Sequence, residues 1–349
     1  MKDELRFETI IVDEAAQATE PSTLIPLRYG CRRLVLVGDP RQLPATVLSP
    51  TAQKAGLGVS LFERLESAGH PVVLLFVQYR MHPSIRLFPS QQFYQGRLMD
   101  HPSVLQNRQL PTVQSHSTAA TSTSMLLVNS TPSVTPQIVS KESLCQPMAF
   151  FDLPSREVSV GTSFRNDDEA EFVLTVLQAM WSLWLESWLS SSSSASSSTR
   201  FSNESANTIA HPSALSIGII SSYKAQVNRI KTRLDETIPS SAPIATSHTA
   251  GSSLDPPSAT YFNRRQIEVN TVDGFQGKEK DIVIFSCVRT SPHGIGFLAD
   301  ERRVNVAITR ARLQLVVVGR AQALCDGSDT WRAFVSSLHH RNFIHKIHL

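Results

Sequence analysis

The chain has 349 residues, enough for two domains of ordinary size, and its 41% hydrophobic and 18% charged content is that of a globular protein. A formal net charge of only +3, with no run of five basic residues, excludes a polybasic nucleic-acid tail, so any polyanion site must be local. Cys31, Cys145, Cys287 and Cys325 are too scattered for paired zinc-ligand spacing and too few for a disulfide scaffold, which predicts free thiols in a reducing compartment. No charged-then-apolar leader opens the sequence. The longest apolar stretch, around Phe172 to Leu185, falls short of the roughly 20 residues of a membrane helix, so a soluble intracellular protein with no membrane partner is expected.

Six short runs rich in Val, Ile and Leu recur along the chain without polar alternation: 9–12, 34–37, 72–77, 215–220, 281–287 and 315–318. Such runs predict strands buried on both faces. The first, Thr9-Ile10-Ile11-Val12, stops at Asp13-Glu14. At the carboxyl end of a parallel strand, an Asp can hold Mg²⁺ while the next Glu positions or deprotonates a water that attacks a phosphoryl group. A solvated turn has the same composition. The second run ends in Gly38-Asp39-Pro40-Arg41-Gln42, and a neighbouring strand would bring Asp39 and Gln42 to the same crevice. There Gln42 can sense a terminal phosphate through its amide, or serve as an ordinary loop residue.

Farther along lie Gln78-Tyr79-Arg80-Met81-His82-Pro83, then Val272 to Glu279, then Val304 to Arg312, each placing charge at a strand end or helix start. Arg80 and Arg310 suit the transition-state charge of a γ-phosphate, because a guanidinium fork binds two oxygens at once; structural ion pairs are the alternative. From Asn166 the sequence predicts a helix. Asn166 caps it, Asp167, Asp168 and Glu169 complement the first turn, and Phe172, Val173, Val176, Leu177, Met180 and Trp184 form an apolar stripe that reads as core. Strands alternating with helices imply an α/β fold with a parallel sheet. Three Ser-, Thr- or Pro-rich stretches, 111–136, 190–212 and 239–260, cannot bury enough apolar surface and are expected to be disordered insertions.

Five blocks in this order, VDEAAQATEP, VGDPRQLPATV, QYRMHPSI, NTVDGFQGKEKDIVIFSCVR and RRVNVAITRAR, resemble motifs II to VI of superfamily 1B helicases. The resemblance is to the branch containing senataxin and the nonsense-mediated-decay helicase. The connecting text, such as FPSQQFYQGRL and IGIISSYKAQVNRIK, is most similar to senataxin-like members. It implies two RecA-like domains, the end of the first over 1–69 and the second over 70–349, with ATP and Mg²⁺ between them. By position, Asp13 would be the Mg²⁺ ligand and Glu14 the residue that activates water. Gln42 would read the γ-phosphate, with Asp39 beside it, and Tyr79 would stack on adenine. Arg80 and Arg310 would be arginine fingers, Gly277 and Glu279 would lie near the ribose, and Ser221 and Thr271 would touch nucleic-acid phosphates. Ala45 replaces a proline common in relatives, without evident chemical consequence.

The implied activity is ATP hydrolysis coupled to 5′-to-3′ movement on single-stranded RNA or DNA and unwinding of RNA:DNA hybrids. Partners of RNA processing and residence in the nucleus, or alternatively the cytoplasm, go with it. A kinase- or GTPase-like P-loop enzyme suits the two arginines less well. The 349 residues contain no Gly-x-x-x-x-Gly-Lys-Ser/Thr loop, since the sole Gly-Lys pair, Gly277-Lys278, is followed by Glu279. The expectation is therefore that this chain is the rear portion of a helicase and inactive in isolation, with one side of residues 1–69 lacking cover. The alternative is a genuine short product that binds nucleic acid or protein without ATP.

Overall fold

The computed structural model describes residues 6–108, 110, 125–127, 138–194, 214–238, 263–291 and 294–348. It contains two compact units, Met1–Phe76 with Arg302–Val306, and Val77–Glu301 with Ala307–Leu349. The chain is α/β, with every strand pair of the main sheet parallel.

In the first unit β1 (Thr9–Val12) and β2 (Arg33–Leu36) form a parallel pair, Thr9 opposite Arg33 and Val12 opposite Leu36. Between them runs α1 (Glu20–Leu24), and α2 (Pro50–Lys54) and α3 (Leu61–Ser67) follow. Ser49 and Ser60 cap α2 and α3 with their side chains, accepting from Ala52 N and Glu63 N. The expected two-faced burial is not found here. Ile10 is buried, but Ile11 is 67% exposed and Val35 is exposed as well, in a sheet of only two strands. The run 72–77 is also not a six-residue strand. Val73 and Leu75 are 85% and 80% exposed, and only Val77 pairs. Apolar β-branched residues favour an extended backbone, yet a strand needs a neighbour to accept its ladder.

The second unit opens with β3 (Val77–Gln78), α4 (Pro83–Phe93), β4 (Met99–Asp100) and α5 (Pro102–Asn107), with Gln78 opposite Asp100 in a parallel pair. An antiparallel pair, β5 (Met125–Leu127) with β6 (Ile138–Ser140), leads into α6 (Lys141–Leu144). Then come β7 (Met148–Asp152), the hairpin β8 (Val158–Val160) and β9 (Ser163–Arg165), and α7 (Asp167–Ser194). Next are β10 (Ile217–Ser221), α8 (Lys224–Thr237), β11 (Ile267–Thr271) and β12 (Lys280–Ser286). After α9 (Glu301–Ile308), of which Arg302–Val306 are counted with the first unit, come β13 (Ala311–Gly319), α10 (Ala321–Gly327), α11 (Asp329–His340) and β14 (Ile344–Lys346). The six-stranded sheet has the order β11-β10-β12-β13-β7-β14.

Here burial on both faces holds, with every residue of β10 buried and only Arg312 of β13 not fully so. On one face α7 and α8 pack through Phe172, Val176, Met180, Val227 and Ile230 onto Ile219, Ile284, Val316 and Phe151. On the other, Trp331 of α11 lies 6.0 Å from the ring of Phe285, and Phe88 of α4 packs 4.9 Å from Phe334. The predicted helix begins as read, with Asn166 Oδ1 accepting from Glu169 N at 3.1 Å. It runs on through Ser194, five residues into the serine-rich stretch expected to be disordered. Met125–Leu127 likewise form a strand within 111–136, and the remainder of the three stretches lies outside the described residues. Asp167–Ser190 is long and apolar enough to cross a membrane, although half of that window is buried in the fold.

Candidate nucleotide and nucleic-acid sites

In the first unit the strand register places both acidic turns at one edge. Val37 N donates to Val12 O at 2.9 Å and Ala15 N to Val37 O at 2.8 Å, so the turns after β1 and β2 are zipped together. Gly38 makes that approach possible. A Cβ on it would sit 2.7 Å from Ala16 N and 3.1 Å from Ala15 N, both backbone atoms. Gly38→Ala is therefore expected to destabilise this unit by about 1–3 kcal/mol. Urea unfolding of the 349-residue chain checks it, and an unchanged midpoint rejects the close approach.

Asp13 and Glu14 are exposed. Glu14 takes the left-handed conformation, φ +52°, with its N–H on Asp13 Oδ1 at 2.9 Å and its carboxylate accepting from the Gln17 side chain. A non-glycine residue in that region is uncommon and marks a turn whose shape its surroundings impose. Asp39 works differently. Its Oδ1 accepts from Arg41 N at 2.9 Å and its Oδ2 from Gln42 Nε2 at 2.8 Å, which fixes the Gln42 amide. Asp13, Glu14, Asp39 and Gln42 thus share one edge. No cluster of three or more His, Cys, Asp or Glu suited to a metal occurs among the described residues. One exposed carboxylate still fits Mg²⁺, which takes one or two protein carboxylates and completes its shell with phosphate and water.

In the second unit the Gln78 side chain organises the turn that carries Tyr79 and Arg80. Its Oε1 accepts from Arg80 N and Met81 N at 2.9 and 2.7 Å, and its Nε2 donates to Met81 O and Asp100 Oδ1. Arg108 clamps the same turn from α5's far end, donating to Arg80 O at 2.9 Å and Tyr79 O at 3.2 Å. Neither residue was singled out by sequence, because each acts on backbone atoms that only the fold brings near. Arg80 reaches Glu279 at 2.5 Å and Thr309 O at 3.3 Å. Arg312 donates to the other oxygen of Glu279 and approaches Asp281 at 3.4 Å. Burial works against the charge on Glu279, but the bonds from Arg312 and Arg80 outweigh it and hold the carboxyl below its usual range.

Arg310 is only 2% exposed, with Nη2 on Thr309 Oγ1 at 2.9 Å and Nη1 at 3.5 Å from Lys278 O. Gly277 stands at φ +74° with open space where a Cβ would be, so its backbone conformation rather than crowding calls for glycine. Arg80, Gly277, Glu279 and Arg310 are therefore gathered around Thr309 and the start of β12. Tyr79 is 61% exposed nearby, its ring 4.4 Å from that of His101.

Ser221 and Thr271 are register partners at the carboxyl ends of β10 and β11. Thr271 Oγ1 accepts from Gly274 N at 3.2 Å, whereas Ser221 is buried and accepts from Tyr223 N at 3.4 Å. The next residue, Ser222, has a buried Oγ without a partner among the described residues. On the far side of β10, Ser286 pairs with Ser221 and opens a buried polar network missed by sequence. Glu169 accepts from Ser286 Oγ at 2.7 Å and from Val288 N, which stands at φ +71°. Asn166, Gln226 and Ser155 complete the network.

Burial pushes the Glu169 carboxyl up to about 7, against the lowering bonds from Ser286 and Val288. Since folding raises it above its ordinary 4.5, the folded chain keeps a proton that the unfolded chain releases between those values. Its contribution is complete below about 4.5 and lost as pH rises through about 7. Wild type should therefore lose about 3 kcal/mol relative to Glu169→Gln between pH of about 4.5 and 7.5. Urea unfolding of both chains at the two pH values decides this, and a pH-independent difference rejects it.

Two family models, each described as an AAA domain, match the chain, one over residues 57–322 and one over residues 1–50. The longer match takes in most of the sequence, and the chain belongs to the AAA-domain family of helicases. The relatives refine the class. "Probable helicase MAGATAMA 3" of Arabidopsis thaliana is 37% identical over 346 residues, 98% of this chain and 33% of that protein. "Helicase SEN1" of Saccharomyces cerevisiae is 34% identical over 346 residues, 97% of this chain and 12% of that protein. "Regulator of nonsense transcripts 1 homolog" of Arabidopsis thaliana is 35% identical over 322 residues, 91% of this chain and 20% of that protein. Within its class the chain belongs to the superfamily 1B helicase family, in the branch of senataxin and the nonsense-mediated-decay helicase, and matches its C-terminal portion. It spans a third or less of the length of these relatives.

Proposed function

We propose that these residues serve an ATP-driven motor that moves 5′ to 3′ on single-stranded RNA or DNA and unwinds duplexes, RNA:DNA hybrids included. The observation that carries the proposal is the grouping of Asp13, Glu14 and Gln42 at one strand edge, zipped together by the Ala15–Val37 and Val37–Val12 bonds. In this reading Asp13 would hold Mg²⁺, which when bound supplies positive charge to the phosphates. Glu14 orients and deprotonates the attacking water. Gln42, fixed by Asp39, offers its amide to the terminal phosphate. Arg80 and Arg310 stabilise the charge that develops on the transferred phosphoryl group, and Glu279 and Gly277 lie by the ribose. Tyr79 takes the adenine on its exposed ring face, and Thr271 and Ser221 meet nucleic-acid phosphates.

The 349 residues hold no Gly-x-x-x-x-Gly-Lys-Ser/Thr loop, so we infer that turnover needs one from a longer product and that the isolated chain binds ATP weakly. We place the protein in the nucleus, with the cytoplasm as the alternative and RNA-processing factors as partners, on the senataxin-like resemblance of its motifs and connecting text. The test is ATP hydrolysis by the native product, with and without single-stranded RNA and DNA. Stimulation by either supports the motor. A native product that carries the loop and hydrolyses no ATP with either strand overturns it.

A further inference from the structure

We infer that His101 is the second ring of a nucleobase platform, a positioning residue that backs Tyr79 and sets the face it presents; this rests on the adenine site proposed above. The two rings are stacked, with centroids 4.4 Å apart and planes inclined by 29°. That is a stacked arrangement, near the separations aromatic pairs prefer. Tyr79 remains 61% exposed, so His101 covers only part of it. An exposed tyrosine supported on one side only by solvent would sample several rotamers. Here the support is built.

His101 is held at its backbone and at its ring. Its backbone N–H donates to Gln78 O at 3.0 Å, next to the turn it supports. Its Nδ1 accepts from Ser103 N at 3.2 Å as the N-cap of α5 and meets Ser103 Oγ at 2.8 Å. Arg108, at the other end of that short helix, clamps the carbonyl oxygens of Tyr79 and Arg80. The segment from Met99 to Arg108 is thus a frame for Tyr79, and His101 is its aromatic member. A base stacked on the free face of Tyr79 would complete a three-ring pile, in which pre-ordering of the tyrosine spares the ligand the entropy of fixing it.

Two substitutions separate stacking from capping. His101→Asn keeps a good N-cap and removes the ring, whereas His101→Phe keeps the ring and removes the cap. Equilibrium binding of ATP and of inorganic tripolyphosphate to the native product is measured for both, with Tyr79→Ala as reference. The expected result is a loss of about 3- to 10-fold in ATP affinity for His101→Asn, near-wild-type affinity for His101→Phe, and unchanged tripolyphosphate binding in both. Equal ATP losses in the two variants, or the reverse order, make His101 a cap alone and overturn the inference. If Tyr79→Ala weakens ATP and His101→Asn does not, His101 falls while the base site stands. If Tyr79→Ala changes nothing, or the native product binds no ATP, the base site falls and His101 with it.

Discussion

Glu14→Gln is expected to lower ATP turnover by about 10²- to 10⁴-fold in the native product while leaving nucleotide affinity near wild type. The substitution is isosteric and removes only basicity. Its backbone setting is also undisturbed: the left-handed turn at φ +52° is set by the Asp13 bond to Glu14 N and by the zipped strand ends, none of which involves the Glu14 carboxylate. The Gln17 side chain donates to that carboxylate and can donate to the oxygen of a glutamine in the same place. Turnover and equilibrium ATP binding, measured separately, give the answer. Hydrolysis at the wild-type rate would remove Glu14 from the water-activating role, and equal losses of affinity and rate would make it a binding residue.

Arg310→Ala should cost about 10³-fold or more in turnover if its guanidinium meets the transferring phosphoryl group. Its burial supplies a competing explanation. At 2% exposure, with bonds to Thr309 Oγ1 and Lys278 O, its loss also leaves buried polar atoms unsatisfied and should destabilise the fold by about 1–3 kcal/mol. Arg310→Lys separates the two. A lysine keeps charge and most of the volume but cannot offer a planar fork, so stability should recover more than turnover does. Unfolding midpoints and rates for the pair are the measurement. Recovery of both together would make Arg310 a structural residue, and a near-normal rate in Arg310→Ala would reject the finger.

The legibility of this protein in its sequence varies with how local the cause is. β10, β12 and β13 are visible because a strand covered by helices on both faces must be apolar throughout, and α7 because its cap, acidic first turn and stripe lie within twenty residues. β11 escaped notice for the opposite reason. It is an edge strand, and its sequence Ile-Glu-Val-Asn-Thr alternates in burial. β7, in the interior of the sheet, was missed because Met148-Ala149-Phe150-Phe151 is short and lacks the β-branched run that marked the others. The run 72–77 shows the converse error, a strand-like composition with no ladder to join.

In the candidate sites, Asp13, Glu14, Gln42, Arg80 and Arg310 could be picked out because charge, or a polar amide beside it, at a strand or helix end is conspicuous. Apart from Asp39, the residues that hold the sites together could not. Gln78 acts through a turn amide, Arg108 through two carbonyl oxygens, and Glu169 through groups 117 and 119 positions away. Sequence patterns report residues that must be of one type for chemistry at an edge. They are silent on polar groups whose partners are assembled by folding.

The all-parallel sheet has one more consequence. Every strand enters at one edge and leaves at the other, and Ser221, Thr271 and Ser286 mark the leaving edge. The serine-rich stretch after Ser194 joins α7 to β10, and that after Ile238 joins α8 to β11, so both connect a helix to the entering end of a strand. The stretch before Ile138 likewise precedes α6 and β7. β10 and β11 therefore begin on the rim opposite the hydroxyl-bearing one, at the points where the first two of these stretches join them. Evolution can lengthen the chain at these points against loop-closure entropy that grows only slowly with length, without touching the rim that would meet nucleic acid.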